Sequence, residues 1–178
     1  MFDYGIEGYR PVWSSGLGGV VRDHAPRLRG LVGRTLTRVW LVWDPADDTW
    51  FADCPVVLDF AGERVEIQHR KFDDLSVTWN TIDPGAPVRW PGFGLEWRAE
   101  PLPGLRALRG LPLTGVDLLE WAGGDVADGN VDVSFVLGPG RVTVFNALDE
   151  NGLAFGPPDA RQRCHVLRRG PSHGGGAG

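Results

Sequence analysis

An all-β fold is predicted for this chain: an antiparallel meander present twice, forming a sandwich or barrel with approximate two-fold symmetry. Three observations predict it. The sequence matches itself at an offset of 77 residues, so that 26–69 falls on 103–146 without a gap and 13 of the 44 columns are identical. Among these are Pro26/Pro103, Leu28/Leu105, Leu36/Leu113, Thr37/Thr114, Val39/Val116, Leu41/Leu118, Arg64/Arg141 and Val65/Val142. The match resumes at an offset of 76, where Asp73, Val77, Trp79 and Asp83 meet Asp149, Leu153, Phe155 and Asp159. Second, apolar residues recur at alternate positions over short runs, the period of a half-buried strand. Third, 26 glycines and 14 prolines punctuate those runs, which is the pattern of an antiparallel sheet rather than of an α/β fold.

Taken in order, residues 1–25 have no counterpart in the second half. Carrying Tyr4, Tyr9 and Trp13, they are expected to cover a sheet edge that would otherwise invite pairing with another chain. The Gly-rich run at 16–19 lacks a preceding strand and a βαβ context, so it is no dinucleotide fingerprint. Repeat one spans about 26–91 and repeat two about 103–169, in a single domain of 1–170. Residues 171–178 read as a disordered tail. In the first strand Thr37, Val39 and Leu41 recur as Thr114, Val116 and Leu118 and mark the core face; Arg38 and Trp40 lie opposite. Val56, Leu58 and Phe60 follow, mated to Val133, Phe135 and Leu137. Ala61-Gly62 and Gly138-Pro139 then reverse the chain as two-residue hairpin turns. The return strands put Val65 and Ile67, or Val142 and Val144, inward. A loop comes next, with Asn151-Gly152 read as a tight turn, before strands through Val77 and Trp79 or Leu153 and Phe155. A last strand is placed at Val88 and Trp90, matched to Cys164 and Val166, and residues 92–102 form a link whose Leu95 and Trp97 make a further strand between the halves.

Composition narrows the function classes. The net charge of −5 argues against a duplex nucleic-acid partner, which calls for a basic face. No run approaches the roughly 18 apolar residues of a membrane span. The N-terminus has neither the basic nor the apolar region of a secretory signal, and two cysteines make no disulfide framework, so a cytoplasmic location is expected. One lysine against 17 arginines is the bias of a GC-rich coding sequence and points to a bacterial source.

Candidate chemistry is sparse. Cys54 falls on Val131 and Cys164 on Val88, so both are expected to be buried, reduced and dispensable. No metal-ligand spacing is present and no cofactor is expected. The recurring Arg29/Arg106 and Arg64/Arg141 are expected to clamp loop acids. His69 follows Val65 and Ile67 on the inward face and is mated to Asn146; with Asp73 and Asp149 close by, these four define a candidate ligand pocket between the halves. Trp40 and Arg38, whose positions are Asp117 and Gly115 in the second half, define a candidate partner-binding surface. The leading expectation is a non-catalytic cytoplasmic interaction protein that caps or neutralises a protein partner. The alternatives are a small-ligand-binding β domain and, behind it, a hydrolase or isomerase using the His69/Asn146 pocket.

Overall fold

A computed structural model describes residues 4–168. In chain order the elements are β1 (Trp13–Ser15), α1 (Gly16–Gly30), β2 (Leu36–Asp44), β3 (Thr49–Trp50), β4 (Val56–Phe60), β5 (Glu63–Arg70), β6 (Asp74–Trp79), β7 (Glu96–Ala99), α2 (Pro103–Leu108), β8 (Leu113–Trp121), β9 (Val131–Leu137), β10 (Gly140–Asn146), β11 (Asn151–Phe155) and β12 (Gln162–Val166). The strands build two antiparallel sheets, packed as a sandwich without barrel closure. Sheet one runs β1-β6-β5-β4-β2, with β3 continuing the β4 side of β2 and β7 on its other side; sheet two runs β11-β10-β9-β8-β12.

The two sheets agree in register. Leu36 pairs with Phe60 and Leu113 with Leu137; Val39 with Leu58 and Val116 with Phe135. Ile67 pairs with Val77 and Val144 with Leu153. Both sheets carry a bulge at the matching place, between Leu36 and Arg38 and between Leu113 and Gly115. That bulge corrects one expectation: Thr37 is half-buried and Thr114 exposed, and Leu36 and Leu113 take the first core position instead. The extra residue breaks strict alternation, and each threonine hydroxyl donates to a carbonyl across the strand pair, Asp59 O or Val136 O, both at 3.1 Å.

The hairpin turns follow their residues. Ala61 and Gly62 both have positive φ, as a type I′ turn requires, whereas at Gly138-Pro139 only the glycine does, as in type II′. Beyond them, alternation places Leu41, Leu58, Phe60, Val65 and Ile67 against Leu118, Phe135, Val142 and Val144 in one interior, all 0% exposed. The Phe60 and Phe135 rings meet at 5.3 Å between the sheets.

Four further expectations are corrected. Residues 16–30 are helical; Val20, His24, Ala25 and Leu28 form the buried stripe of α1, and Val20, Ala25 and Leu28 join the interior. The strand equivalent to β12 is β7, since each pairs with the same stretch of its neighbour, β8 or β2. Cys164 therefore lies on an edge strand and is exposed, while only Cys54 is buried. Finally, Asn151 and Gly152 open β11 instead of turning; the positive φ angles fall on Leu148 and Asp149. The disordered tail expected at 171–178 lies outside the described residues.

A second core lies on the outer face of sheet one. Val42, Val57 and Trp40 are covered there by Tyr4, Ile6 and Tyr9 from the N-terminal segment and by Ile82, Val88 and Leu95 from the β6–β7 connection. Gly5 lets the two covering segments touch: its φ is +65°, and a Cβ there would lie 2.3 Å from Arg89 O. Glu66, 0% exposed, anchors the connection by accepting from Thr78 Oγ1, from Thr81 N and Oγ1, and from Ile82 N. β1 pairs along β6 at the sheet edge.

Candidate functional site

The outer face of sheet two is built differently. β11 and β12 are at opposite edges, so the chain between them must cross that face, and residues 156–161 do so. Four interstrand steps cover about 19 Å. Six residues with their two flanking bonds reach about 24 Å when nearly extended. The strap therefore has little slack: Pro157-Pro158 suits an extended run, and its last residues close a turn in which Gln162 N donates to Asp159 O at 2.9 Å. It covers a narrow band and leaves hollows beside it. One of about 400 Å³ lies between the β8–β9 and β10–β11 loops, with Gln162 at the start of β12 closing one side; an adjoining one of about 340 Å³ shares Trp121, Phe145 and Gln162 with it and is lined by Pro157, Pro158 and Asp159 of the strap.

The 400 Å³ hollow has apolar walls and a polar floor. Trp121, Val126, Phe145 and Leu148 form the walls, and Val126 and Leu148 stand 74% and 63% exposed at its rim. The aromatic rings rest on glycines: a Cβ at Gly152 would meet the Phe145 ring at 2.2 Å, and one at Gly123 the Trp121 indole at 2.4 Å. Trp121 Nε1 donates to Asp125 at 3.0 Å, and the Arg161 guanidinium lies 4.5 Å over its ring.

Asp132 is the centre of the floor. Its Oδ1 accepts from Asn130 Nδ2 and from Asn146 N, both at 3.1 Å, and its Oδ2 from Gln162 Nε2 at 2.8 Å. Burial pushes its carboxyl up to about 7, against the pull of those three donors. Asn130 is 4% exposed, and because its Nδ2 faces the carboxyl its Oδ1 is the free end, with no hydrogen-bond partner among the described residues. An unsatisfied buried acceptor in the wall of a hollow is costly unless something else fills it.

The sequence-derived pocket residues separate into two groups. His69 is 0% exposed, between the sheets. Its ring Nδ1 lies 3.2 Å from Asn151 Oδ1, and its Nε2 lies 3.4 Å from Val131 O and 3.9 Å from Asp132 Oδ1. Burial lowers its pKa to about 4, so the imidazole is neutral at neutral pH. Asn151 Nδ2 reaches Cys54 O at 2.9 Å and Gln68 Oε1 at 3.1 Å, making the Asn151–His69 pair a pin between the sheets. Asn146 lines the hollow, but its side chain is engaged in the loop: Nδ2 donates to Lys71 O and Oδ1 accepts from Asp149 N. Asp149 accepts from Lys71 N. Asp73 is exposed and apart from this clip.

The other candidates have structural partners. Trp40 is half-buried in the second core, and Arg38 reaches Glu100 at 3.3 Å. Of the paired arginines, Arg141 meets Asp117 at 2.8 Å and Ser134 at 3.0 Å, whereas Arg64 and Arg106 bind backbone carbonyls. None of these three meets a loop acid, which corrects that expectation: Asp117 lies within β8, and Arg64 and Arg106 reach the carbonyls of Ile82 and of Glu100 and Pro101. Ser14, Asp23 and His24 also adjoin, but the serine hydroxyl donates to Asp23 at 2.9 Å and His24 is only 3.5 Å from it, an order that leaves no base for a nucleophile.

Asp132, Asn130, Asn151, Trp121 and Gln162 are the residues that sequence reading missed. Their one visible signal is a departure between the copies: Asp132 stands where the first half has Pro55, and Asn151 where it has Leu75. Among the described residues no group of three metal-ligating side chains occurs, and no helix is long and apolar enough to cross a membrane. Comparison with protein-family models, with curated proteins and with solved structures returns no match.

Proposed function

We propose that this protein is a non-catalytic small-ligand-binding β domain whose site is the hollow on the outer face of sheet two. The observation that carries this reading is the pairing of apolar aromatic walls with a buried floor that holds one unsatisfied acceptor, Asn130 Oδ1. A volume of about 400 Å³ falls in the range of small-molecule sites, which are mostly apolar with a few placed polar groups. The hollow sits on the second half alone, in keeping with a duplicated scaffold that kept one copy closed and opened the other. Partner binding through Trp40 and Arg38 draws less support, because both side chains are engaged within the chain. A cytoplasmic site of action fits the two unpaired cysteines.

The test is a fragment screen by ¹H–¹⁵N correlation spectra at about 1 mM ligand. Hits are expected to move the Trp121 indole resonance, assigned by its loss in Trp121→Phe, and to weaken about tenfold in Phe145→Ala. A screen whose hits all map away from Trp121, or that yields none, overturns the proposal.

A further inference from the structure

We infer that the hollow selects a cationic amine: an ammonium or amidinium group seated against Asn130 and Asp132, carried on an apolar body held by Trp121 and Phe145. The inference rests on the ligand-binding reading and adds the chemical class. It follows first from an inventory of donors and acceptors. Every side-chain donor on the floor is committed: Asn130 Nδ2 and Gln162 Nε2 to Asp132, Asn146 Nδ2 to Lys71 O, and Trp121 Nε1 to Asp125. Gln162 Oε1 is also taken, by Asp159 N at 3.0 Å. What the floor still holds is acceptor capacity: the carboxyl oxygens of Asp132, and Asn130 Oδ1, which has no partner among the described residues and lies buried behind the lining of the hollow. A ligand that brings donors completes this floor; one that brings acceptors meets no free side-chain donor once Asp132 is ionised.

Charge points the same way. Asp125 and Asp132 line the hollow, and neither a lysine nor an arginine does. Arg161, a cation beside the hollow, is bound to Asp159 at 3.0 Å and stacked on Trp121. A carboxylate or phosphate would therefore enter against two acids with no compensating charge, whereas an ammonium gains both a buried counter-ion and the negative faces of aromatic rings. Asp132 is the right partner geometrically, because its three existing donors hold both oxygens in place before the ligand arrives.

The test uses three probes that share a phenyl body and a two-carbon spacer: 2-phenylethylamine, 2-phenylethanol and 3-phenylpropionate. Titrated against the labelled protein with the Trp121 indole as reporter, the amine is expected to bind at least tenfold tighter than the alcohol, and the carboxylate weakest. Asn130→Leu should erase the preference for amine over alcohol. Because Asp132→Asn removes the charge and at the same time turns an amide donor towards Gln162 Nε2, it does not isolate the carboxylate, and the role of Asp132 in binding is read instead on the unaltered protein. Its carboxyl, held near neutrality by burial, should release part of a proton when the amine binds at pH 7, so the calorimetric heat should differ between phosphate and Tris buffers. Equal heats, or an alcohol or carboxylate that binds as well as the amine, overturn the amine assignment. If neutral or anionic fragments still occupy the hollow, the ligand-binding reading stands without it; if nothing of any charge does, both fall.

Discussion

The two outer faces of the sandwich solve one topological problem in opposite ways. In each half the chain leaves a strand on one side of its sheet, β6, which β1 flanks, or β11 at the edge, and must cross to the strand on the far side, β7 or β12. In the first half the crossing takes residues 80–95 and, with the N-terminal segment, brings its own apolar residues to make a second core. In the second half the crossing is 156–161, too short to carry a cover. Beneath the long crossing lie Trp40 and Val57, and beneath the short one Asp117 and Ser134, at the same register positions. The difference teaches that the interior fixes the scaffold while the length of one connection decides which face is free for chemistry.

Several substitutions break or sharpen that comparison. The largest effects should be common to both halves: Leu41→Ala and Leu118→Ala, each removing a side chain that is 0% exposed, should cost about 2 to 5 kcal/mol apiece, measured by urea unfolding. A cost confined to one half would separate the two interiors. Next comes Trp40→Asp, which copies the second half into the first. It puts a carboxylate under the cover, where Arg64, the counterpart of Arg141, is committed to Ile82 O, and should cost about 3 kcal/mol; an unchanged melting temperature would mean that the second core does not depend on Trp40.

Acid–base behaviour offers a subtler contrast. The folded Asp132 carboxyl titrates above its unfolded value, so its contribution is full below about pH 4 and is lost as pH rises through about 7. His69 is shifted the other way: the unfolded ring takes up a proton first, so stability falls as pH drops from about 6.5 towards 4. Comparing the protein with Asp132→Asn removes the shared His69 effect. The stability difference between the two should move steadily in favour of the variant from pH 4 to pH 8, and a flat difference would refute the assignment to Asp132.

Smaller effects probe the open face. Gly152→Ala should push the Phe145 ring into the hollow and weaken any bound fragment about tenfold, while leaving unfolding within about 1 kcal/mol. Cys164→Val, on an exposed edge, should change stability by no more than about 0.5 kcal/mol.

What the sequence made legible follows from what repeats. β2 and β8 sit 77 residues apart at both ends, and the hairpin turns at Ala61-Gly62 and Gly138-Pro139 form where their residues demand. α1 was hidden because Gly16, Gly18, Gly19 and Pro26 are poor helix residues, and the helix is held by its buried face instead. The β12 assignment failed because alignment at a constant offset cannot register two crossings of different length. The pocket floor was illegible for a related reason. Strand alternation sends Asp132 outward, where an acid reads as solvated, and only the strap and loops over that face make it buried.

The short crossing has a thermodynamic consequence. Fixing the backbone of a residue costs about 1 to 2 kcal/mol of conformational free energy, so the ten additional residues of the long crossing, 80–95 against 156–161, carry an ordering penalty of about 10 to 20 kcal/mol. A cover of that length is stable only if it buries enough apolar surface of its own, which is what Ile82, Val88 and Leu95 do. The strap owes no such debt. It can therefore leave empty space beside it, and a face left partly open by a short connection costs the fold less entropy than the closed face on the other side.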